Sequence, residues 1–347
     1  MPSSPESRAF RTPVLGAFLE GWRRVLRAPA LAAGIVILTF VFALPMAAVV
    51  HNAIAAHLGS SLEADTAATG WNAGWAAEFD ASSSGIARTF NMEILGFGAT
   101  MANVSRFMDN EPLNPSIAWA VAAYIGMWVF LSGGLIDRYA RARPVRAAAF
   151  FSACGTYFFR FVRLAVVIGA AYWWLFRWLH PFLFGTVYSK WTRDMTAETS
   201  AIALRGVLYL IFFAAVAFVN AVADFAKVRA VVEDRRSMLS ALSSALRFIR
   251  RRPFRTAGLY LLNILVTLVI ARLWYSSAPS ATAAPWMALL LAQLYLMLRI
   301  WSRLASIASE TVFFQGELAH ANYVAAPEPV WPDSPAAEAI ANLRDRT

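Results

Sequence analysis

The residues with the most chemical potential in this chain are polar side chains set within long apolar runs. Asp137 closes one run, and Asn220 and Asp224 stand four apart near the end of another. Asn263 lies inside a third, and Gln293, Arg299, Arg303 and Glu310 follow one another along a fourth. Hydrocarbon makes such groups costly, so each needs a partner, a cavity or water. Three uses suit them: ion pairs that hold helix register, a polar route for a solute or proton, and a docking cluster for a partner. Arg299 comes 14 residues after Pro285, roughly 21 Å along a helix rising 1.5 Å per residue. That predicts a place in the inner third of a membrane, with a carboxylate as partner. Asp137 and Asp224 stand at the matching depth, so the expectation is that Arg299, with Arg303, pairs with one or both. Structural pairing leads the three readings. A proton route needs a mid-bilayer carboxylate, and no run carries one.

Recognisable catalytic patterns are missing. The sequence has no Walker-type phosphate loop, no Gly-x-Gly-x-x-Gly, no His-Glu-x-x-His and no Gly-x-Ser-x-Gly. His51, His57, His180 and His320 are scattered, and a spacing of six keeps the first two off a common helix face. Glu63, Asp65, Glu78 and Asp80 read as acids of a solvated loop. The single cysteine, Cys154, rules out an intrachain disulfide and reads as a small apolar filler. The expectation is a non-enzymatic protein with no catalytic, metal or cofactor site.

The elements that must hold these side chains follow from composition. The chain has 347 residues, 59% hydrophobic and 15% charged, with mean hydropathy +0.52. A soluble domain is nearer 45–50% apolar and about 25% charged. A soluble fold of this size cannot hide so much apolar surface, so the class is polytopic membrane protein. Six runs are long enough for a hydrocarbon core of about 30 Å: about 30–50, 116–136, 164–184, 201–223, 254–275 and 284–307. An open sheet cannot stand in lipid and no stretch alternates with period two, so all six are predicted helices. The first run is too long for a signal-peptide core and reads as a retained anchor.

Orientation follows from the basic residues. Arg8, Arg11, Arg23, Arg24 and Arg27 precede span one. Arg138, Arg141, Arg143, Arg146, Arg160 and Arg163 join spans two and three, and a still richer group from Lys227 to Arg255 joins spans four and five. Loop 51–115 has only Arg88 and Arg106 against seven acids, and loop 276–283 has no charge. Both ends are therefore expected in the cytoplasm, with Trp119, Trp178, Trp274, Tyr275 and Trp286 near the outer interface. The formal net charge of +10 then points to anionic lipid headgroups rather than nucleic acid. Arg23, Arg24, Arg27, Arg250, Arg251 and Arg252 are the expected headgroup contacts, and another membrane protein is the expected partner.

Amphipathic spacing precedes three spans. Phe10, Val14, Phe18, Trp22 and Val25 form one stripe, and Met238, Leu239, Leu242, Leu246 and Ile249 another. Val145, Ala149, Phe150, Phe158 and Phe159 are a weaker third. These predict cytoplasmic helices lying on the inner leaflet. Pro29-Ala-Leu-Ala-Ala-Gly34 matches Pro253-Phe-Arg-Thr-Ala-Gly258, and Asp137-Arg138-Tyr139-Ala140-Arg141 parallels Asp224-Phe225-Ala226-Lys227 with Arg229. The reading is three pseudo-repeats of surface helix, span and returning span, over about 10–136, 143–226 and 237–316. Ser132, Gly133, Gly134, Ala214, Ala217 and Ala221 favour close helix packing. Loop 51–115 interrupts the first repeat. Ile86, Phe90, Ile94, Phe97, Met101, Val104 and Met108 predict one helix of about 22 residues in it, forming an extracytoplasmic cap. Residues 1–316 thus read as one all-α, six-helix transmembrane domain, and 317–347 as a flexible cytoplasmic tail.

The basic helix ending Arg251-Arg252-Pro253 and the run Asp224-Phe225-Ala226-Lys227-Val228-Arg229-Ala230-Val231-Val232-Glu233-Asp234 resemble the YciC-like family of bacterial six-span membrane proteins. They also resemble the membrane domain found ahead of some glycerophosphodiester phosphodiesterases. The resemblance covers about 200–315, and the rest by architecture only. It implies the bacterial inner membrane and brings no catalytic residue. The phosphodiesterase domain has no counterpart, because only about 30 residues follow the last run, too few for a barrel. The expected function is a membrane scaffold, assembly or regulatory subunit that binds lipid and another membrane protein. The alternative is a small-molecule or lipid transporter with a pathway between the repeats.

Overall fold

A computed structural model describes residues 13–70, 72–90, 96–112, 115–279 and 284–318. The chain begins with α1 (Val14–Leu26), α2 (Pro29–Leu58), α3 (Ala64–Thr69), α4 (Ala73–Ser82), α5 (Gly96–Met108) and α6 (Pro115–Arg141). α7 (Ala147–Trp174) runs on through π-helical turns at Leu175–Leu179 and Phe182–Val187 into α8 (Tyr188–Thr192). α9 (Glu198–Val232), α10 (Met238–Arg251), α11 (Pro253–Ser277) and α12 (Pro285–Glu317) complete it. Six helices are long and apolar enough to cross a membrane: α2, α6, the continuous α7–α8, α9, α11 and α12. Each contains one of the expected runs and overshoots it. α12 continues past Ile307 to Glu317, so the helix takes in the residue where the tail was expected to start. Arg8, Arg11, Phe10, Ile94, His320 and the rest of that tail lie outside the described residues.

Proline explains two of the three membrane-entering junctions. Ala28, before Pro29, has φ −131° and ψ 54°; Arg252, before Pro253, has φ −140° and ψ 50°. The proline ring disfavours helical backbone in the residue before it and suits the first position of the next helix. The chain therefore bends at the same step twice. No proline interrupts residues 147–180, so the third surface helix is not separate: its residues are the first turns of α7. The helix irregularity comes later, where Pro181 removes an N–H between the two π-helical turns.

The core sits at the arginine-rich ends of the spans. α6, α9 and α12 touch one another there and form a central trio, around which α1 packs on α12, α7 on α6, and α10 on α9. Leu135 and Tyr139 of α6, Phe225 and Val231 of α9, and Leu304, Phe313 and Phe314 of α12 are almost fully buried. Close approach needs small residues, because apolar side chains gain nothing from leaving lipid and packing must supply the attraction. A Cβ on Gly21 of α1 would fall 2.6 Å from the Ser309 nitrogen of α12. A Cβ on Gly134 of α6 would fall 2.6 Å from Cys154 Sγ of α7.

α1 and α10 each pack one face on the ends of the spans. α1 buries Ala17, Gly21 and Val25. α10 buries Met238, Ala241, Ala245, Phe248 and Ile249, while Leu239, expected on the apolar stripe, is exposed. Alanine faces inward because the partner backbone is close, and the bulky leucine turns away.

The far halves of the spans share no common core among the described residues. α7 and α9 pack on each other through Leu175, Leu183, Leu208, Phe212 and Val216. α2 buries only Ala32 and Ile35, near its start. The insertion docks at two places. Trp75, Phe79 and Ala87 gather against Ile54 and Leu58 at the end of α2. Phe107, just before the end of α5, meets Phe176, Phe212 and Phe213, and His180 Nε2 lies 2.7 Å from the Met108 carbonyl oxygen. The single helix expected over 86–108 is a 3-10 turn at Ala87–Thr89 and α5, with 91–95 outside the described residues.

Candidate functional site

The polar residues inside the spans divide into a closed part and an open part. Asp137, buried on α6, holds both carboxylate oxygens 3.0 Å from Arg141 Nε, one turn further along the same helix. Asp224 on α9 takes the ammonium of Lys227, three residues on, and accepts from the Tyr260 hydroxyl of α11 at 3.0 Å. Tyr260 also faces Glu310, which is buried on α12, and Asp224, Lys227 and Arg303 are the charges that bear on that carboxylate. One layer thus joins α9, α11 and α12 through Asp224, Tyr260, Lys227 and Glu310. Asn220, one turn above Asp224, accepts from the Tyr172 hydroxyl of α7 at 2.7 Å.

Arg299 and Arg303 are not paired with Asp137 or Asp224, which corrects the sequence expectation. Both aspartates are satisfied by cations on their own helices, a pairing that needs no cross-helix alignment. Arg299 instead lies 5.7 Å from the Tyr295 ring, and Arg303 lies 5.2 Å from the Trp128 ring of α6. Ring faces attract guanidinium through their quadrupole without neutralising it. Both arginines are exposed.

Trp274 of α11 stacks on Tyr295 of α12 with centroids 4.7 Å apart. At the other end Glu317 meets Arg252 at 2.6 Å and also contacts Arg255. Between these ends Asn263 Nδ2 donates to Ser309 Oγ at 3.2 Å, and the Thr267 and Ser302 hydroxyls are 3.3 Å apart. α11 and α12 are therefore antiparallel neighbours in register over this length. Arg299 falls about 6 Å from the Tyr295 level and Arg303 about 12 Å, at 1.5 Å per residue. Arg299 thus lies toward the Trp274 end of the α11–α12 pair. The first turns of α12, from Pro285, run on beyond the Trp274–Tyr295 contact. Gln293 is half-buried on those turns, away from the cluster.

The expected headgroup contacts also divide. Arg23, Arg27, Arg250 and Arg251 are exposed. Arg24 turns inward: its Nη1 donates to the Tyr139 carbonyl of α6 and, at 3.2 Å, to Gln315 Oε1 of α12. Burial pulls the Arg24 guanidinium below its usual value, opposed by Glu20 beside it. Arg252 is half-buried on Glu317, with Phe248 under its guanidinium. The spacing Asp224-x-x-Lys227 was a readable sign of local pairing. Tyr172, Tyr260, Trp128 and Gln315 carried no such sign, because each acts across helices.

The arrangement combines a hydrogen-bonded polar layer, in which Lys227 pairs with Asp224 and Glu310 is buried, with two exposed guanidiniums on the same helix as Glu310. The chain matches no family model, no curated protein and no solved structure.

Proposed function

We propose that this chain is a non-enzymatic integral membrane protein that binds lipid and serves as a scaffold, assembly or regulatory subunit for another membrane protein. The observation that carries the reading is the contrast between the two halves of the spans. At the arginine-rich ends the helices share a dense core. Toward the far ends α2 exposes Ile37, Phe40, Val41 and Leu44, and α12 exposes Leu289, Leu290 and Leu294. Such faces suit lipid chains or partner helices. The basic collar of exposed Arg23, Arg27, Arg250 and Arg251 suits anionic headgroups. By the positive-inside rule that collar is the cytoplasmic side of a bacterial inner membrane, with both chain ends on it.

A three-unit repeat supports the same reading. The backbone angles at Ala28 and Arg252 agree, and in each unit the membrane-entering segment packs on the returning span of another unit: α1 on α12, α7 on α6, α10 on α9. The kinship with the YciC-like proteins stays part of this proposal and supplies no substrate.

Arg299 and Arg303 favour one second reading, a lipid or small-molecule transporter whose pathway lies between the repeats. The two are separated by extraction in mild detergent, followed by native mass spectrometry, and by flux into liposomes. A stoichiometric membrane-protein partner with retained lipid is the expected result. A lipid-free, partner-free chain would overturn the scaffold, and solute or lipid flux that needs the chain would install the transporter in its place.

A further inference from the structure

Arg299 and Arg303 stand four apart on one face of α12 and are both exposed inside a membrane-spanning helix. Each is held by a ring, Tyr295 in one case and Trp128 in the other, and neither has a carboxylate within ion-pair distance among the described residues. The nearby acids are engaged: Asp137 by Arg141, Asp224 by Lys227 and Tyr260. Glu310 is seven residues beyond Arg303 and buried in the Asp224–Tyr260–Lys227 layer. Lys227 pairs with Asp224 and, with Arg303, bears on Glu310, while Arg299, set by the Tyr295 ring, lies out of reach of these acids. A guanidinium in a low-dielectric setting strongly favours a counter-ion, and its planar fork suits the oxygens of a phosphate.

We propose that Arg299 and Arg303 form a phosphate-binding site at the exposed face of α12 beside α6. The group bound is a phosphate ester, carried by a phospholipid headgroup or by a soluble anion. This deepens the lipid-binding reading and rests on it. A feature of α6 favours the lipid. Further toward the far end, an apolar cavity of about 480 Å³ is lined by Ile117 of α6 and by Met46, Val50 and Ile54 of α2. It has room for a hydrocarbon chain, so one amphiphile has a polar and an apolar place on the same helix.

The test uses the full chain in dodecyl maltoside, titrated with dioctanoyl phosphatidylglycerol, inorganic phosphate and, as the phosphate-free control, dioctanoylglycerol. Phosphatidylglycerol is expected to bind, and R299Q and R303Q are each expected to weaken it by about tenfold or more, the loss of one charge-assisted contact. Dioctanoylglycerol binding should be the same in all three proteins. Binding of inorganic phosphate with the same arginine dependence supports the site and assigns it to a soluble anion; its absence assigns it to lipid. Arg299 is exposed and lies by the Tyr295 ring of its own helix, so R299Q should keep the wild-type melting curve and decide the matter even where R303Q unfolds. Lipid binding that ignores both substitutions overturns this site and leaves the lipid-binding reading standing. No binding of either phosphate probe, with no retained lipid, overturns both.

Discussion

Gly21 of α1 lies directly against the backbone of Ser309 on α12, so close that a methyl group at position 21 would overlap its N, Cα and Cβ atoms. The contact ties the first described helix to the last one described. Gly21→Ala must push the two apart, and overpacking of this kind costs about 1–3 kcal/mol. Thermal unfolding in detergent should show the loss. Gly155→Ala, where nothing lies within 4 Å, should show none, and equal melting points for the two variants would refute the contact.

Arg24 is the second tie of α1, reaching Tyr139 of α6 and Gln315 of α12 together. Arg24→Met keeps the apolar stem and removes the donors. It should destabilise by about 1.5–3 kcal/mol, the range for hydrogen bonds to charged groups. Arg24→Lys should recover only part, since one ammonium cannot reproduce the fork. Burial lowers the Arg24 value from a very high start, so the charge persists and the deficit should not change between pH 6 and 9. A chemical-denaturation series across that range checks both statements.

Glu63 organises the insertion. Its Oε2 accepts from Thr66 Oγ1 at 2.7 Å and from Asn72 Nδ2 at 3.0 Å, while Asn72 Oδ1 caps α4 by accepting from the Trp75 N–H at 3.0 Å. The Thr66 contact first, then Asn72, holds the Glu63 carboxyl below its usual value. A depressed carboxylate stabilises the fold above the unfolded value, about 4.3, and the contribution is lost as pH falls through the folded value. Glu63→Gln should therefore speed hydrogen exchange over 64–82 at neutral pH. Its difference from the native chain in thermal stability should vanish in acid, and a pH-independent difference would contradict the assignment.

Orientation is checked by single cysteines in a Cys154→Ala background. Leu62 and Arg236 are both exposed, on the acidic insertion and on the basic α9–α10 turn. An impermeant maleimide should label Leu62→Cys in intact cells and Arg236→Cys only after lysis; the opposite pattern would invert the topology. Cys154 itself is buried between α6 and α7 and should stay unlabelled until unfolding.

Hydropathy alone located all six helices that are long and apolar enough to cross a membrane, and the prolines at 29 and 253 located two matching bends, because transfer energy and backbone geometry act within a few residues. The same locality left Asp224-x-x-Lys227 as a sign of local pairing that the expected Arg299 partner passed over. It also misled: an apolar stripe on α10 ranked Leu239 with the buried face, whereas the bundle turned the alanines inward.

Partners across helices were decided only in three dimensions. Each residue turns a helix by about 100° and advances it about 1.5 Å, so a small axial offset exchanges one set of neighbours for another. The stacking of Trp274 on Tyr295 sets that offset for α11 and α12. It lifts Arg299 out of reach of the acids and leaves it, with Arg303, exposed. Sequence settled which segments are long and apolar enough to cross a membrane and where they bend; tertiary structure settled which charges meet, because register and rotation are properties of pairs of helices and not of any one of them.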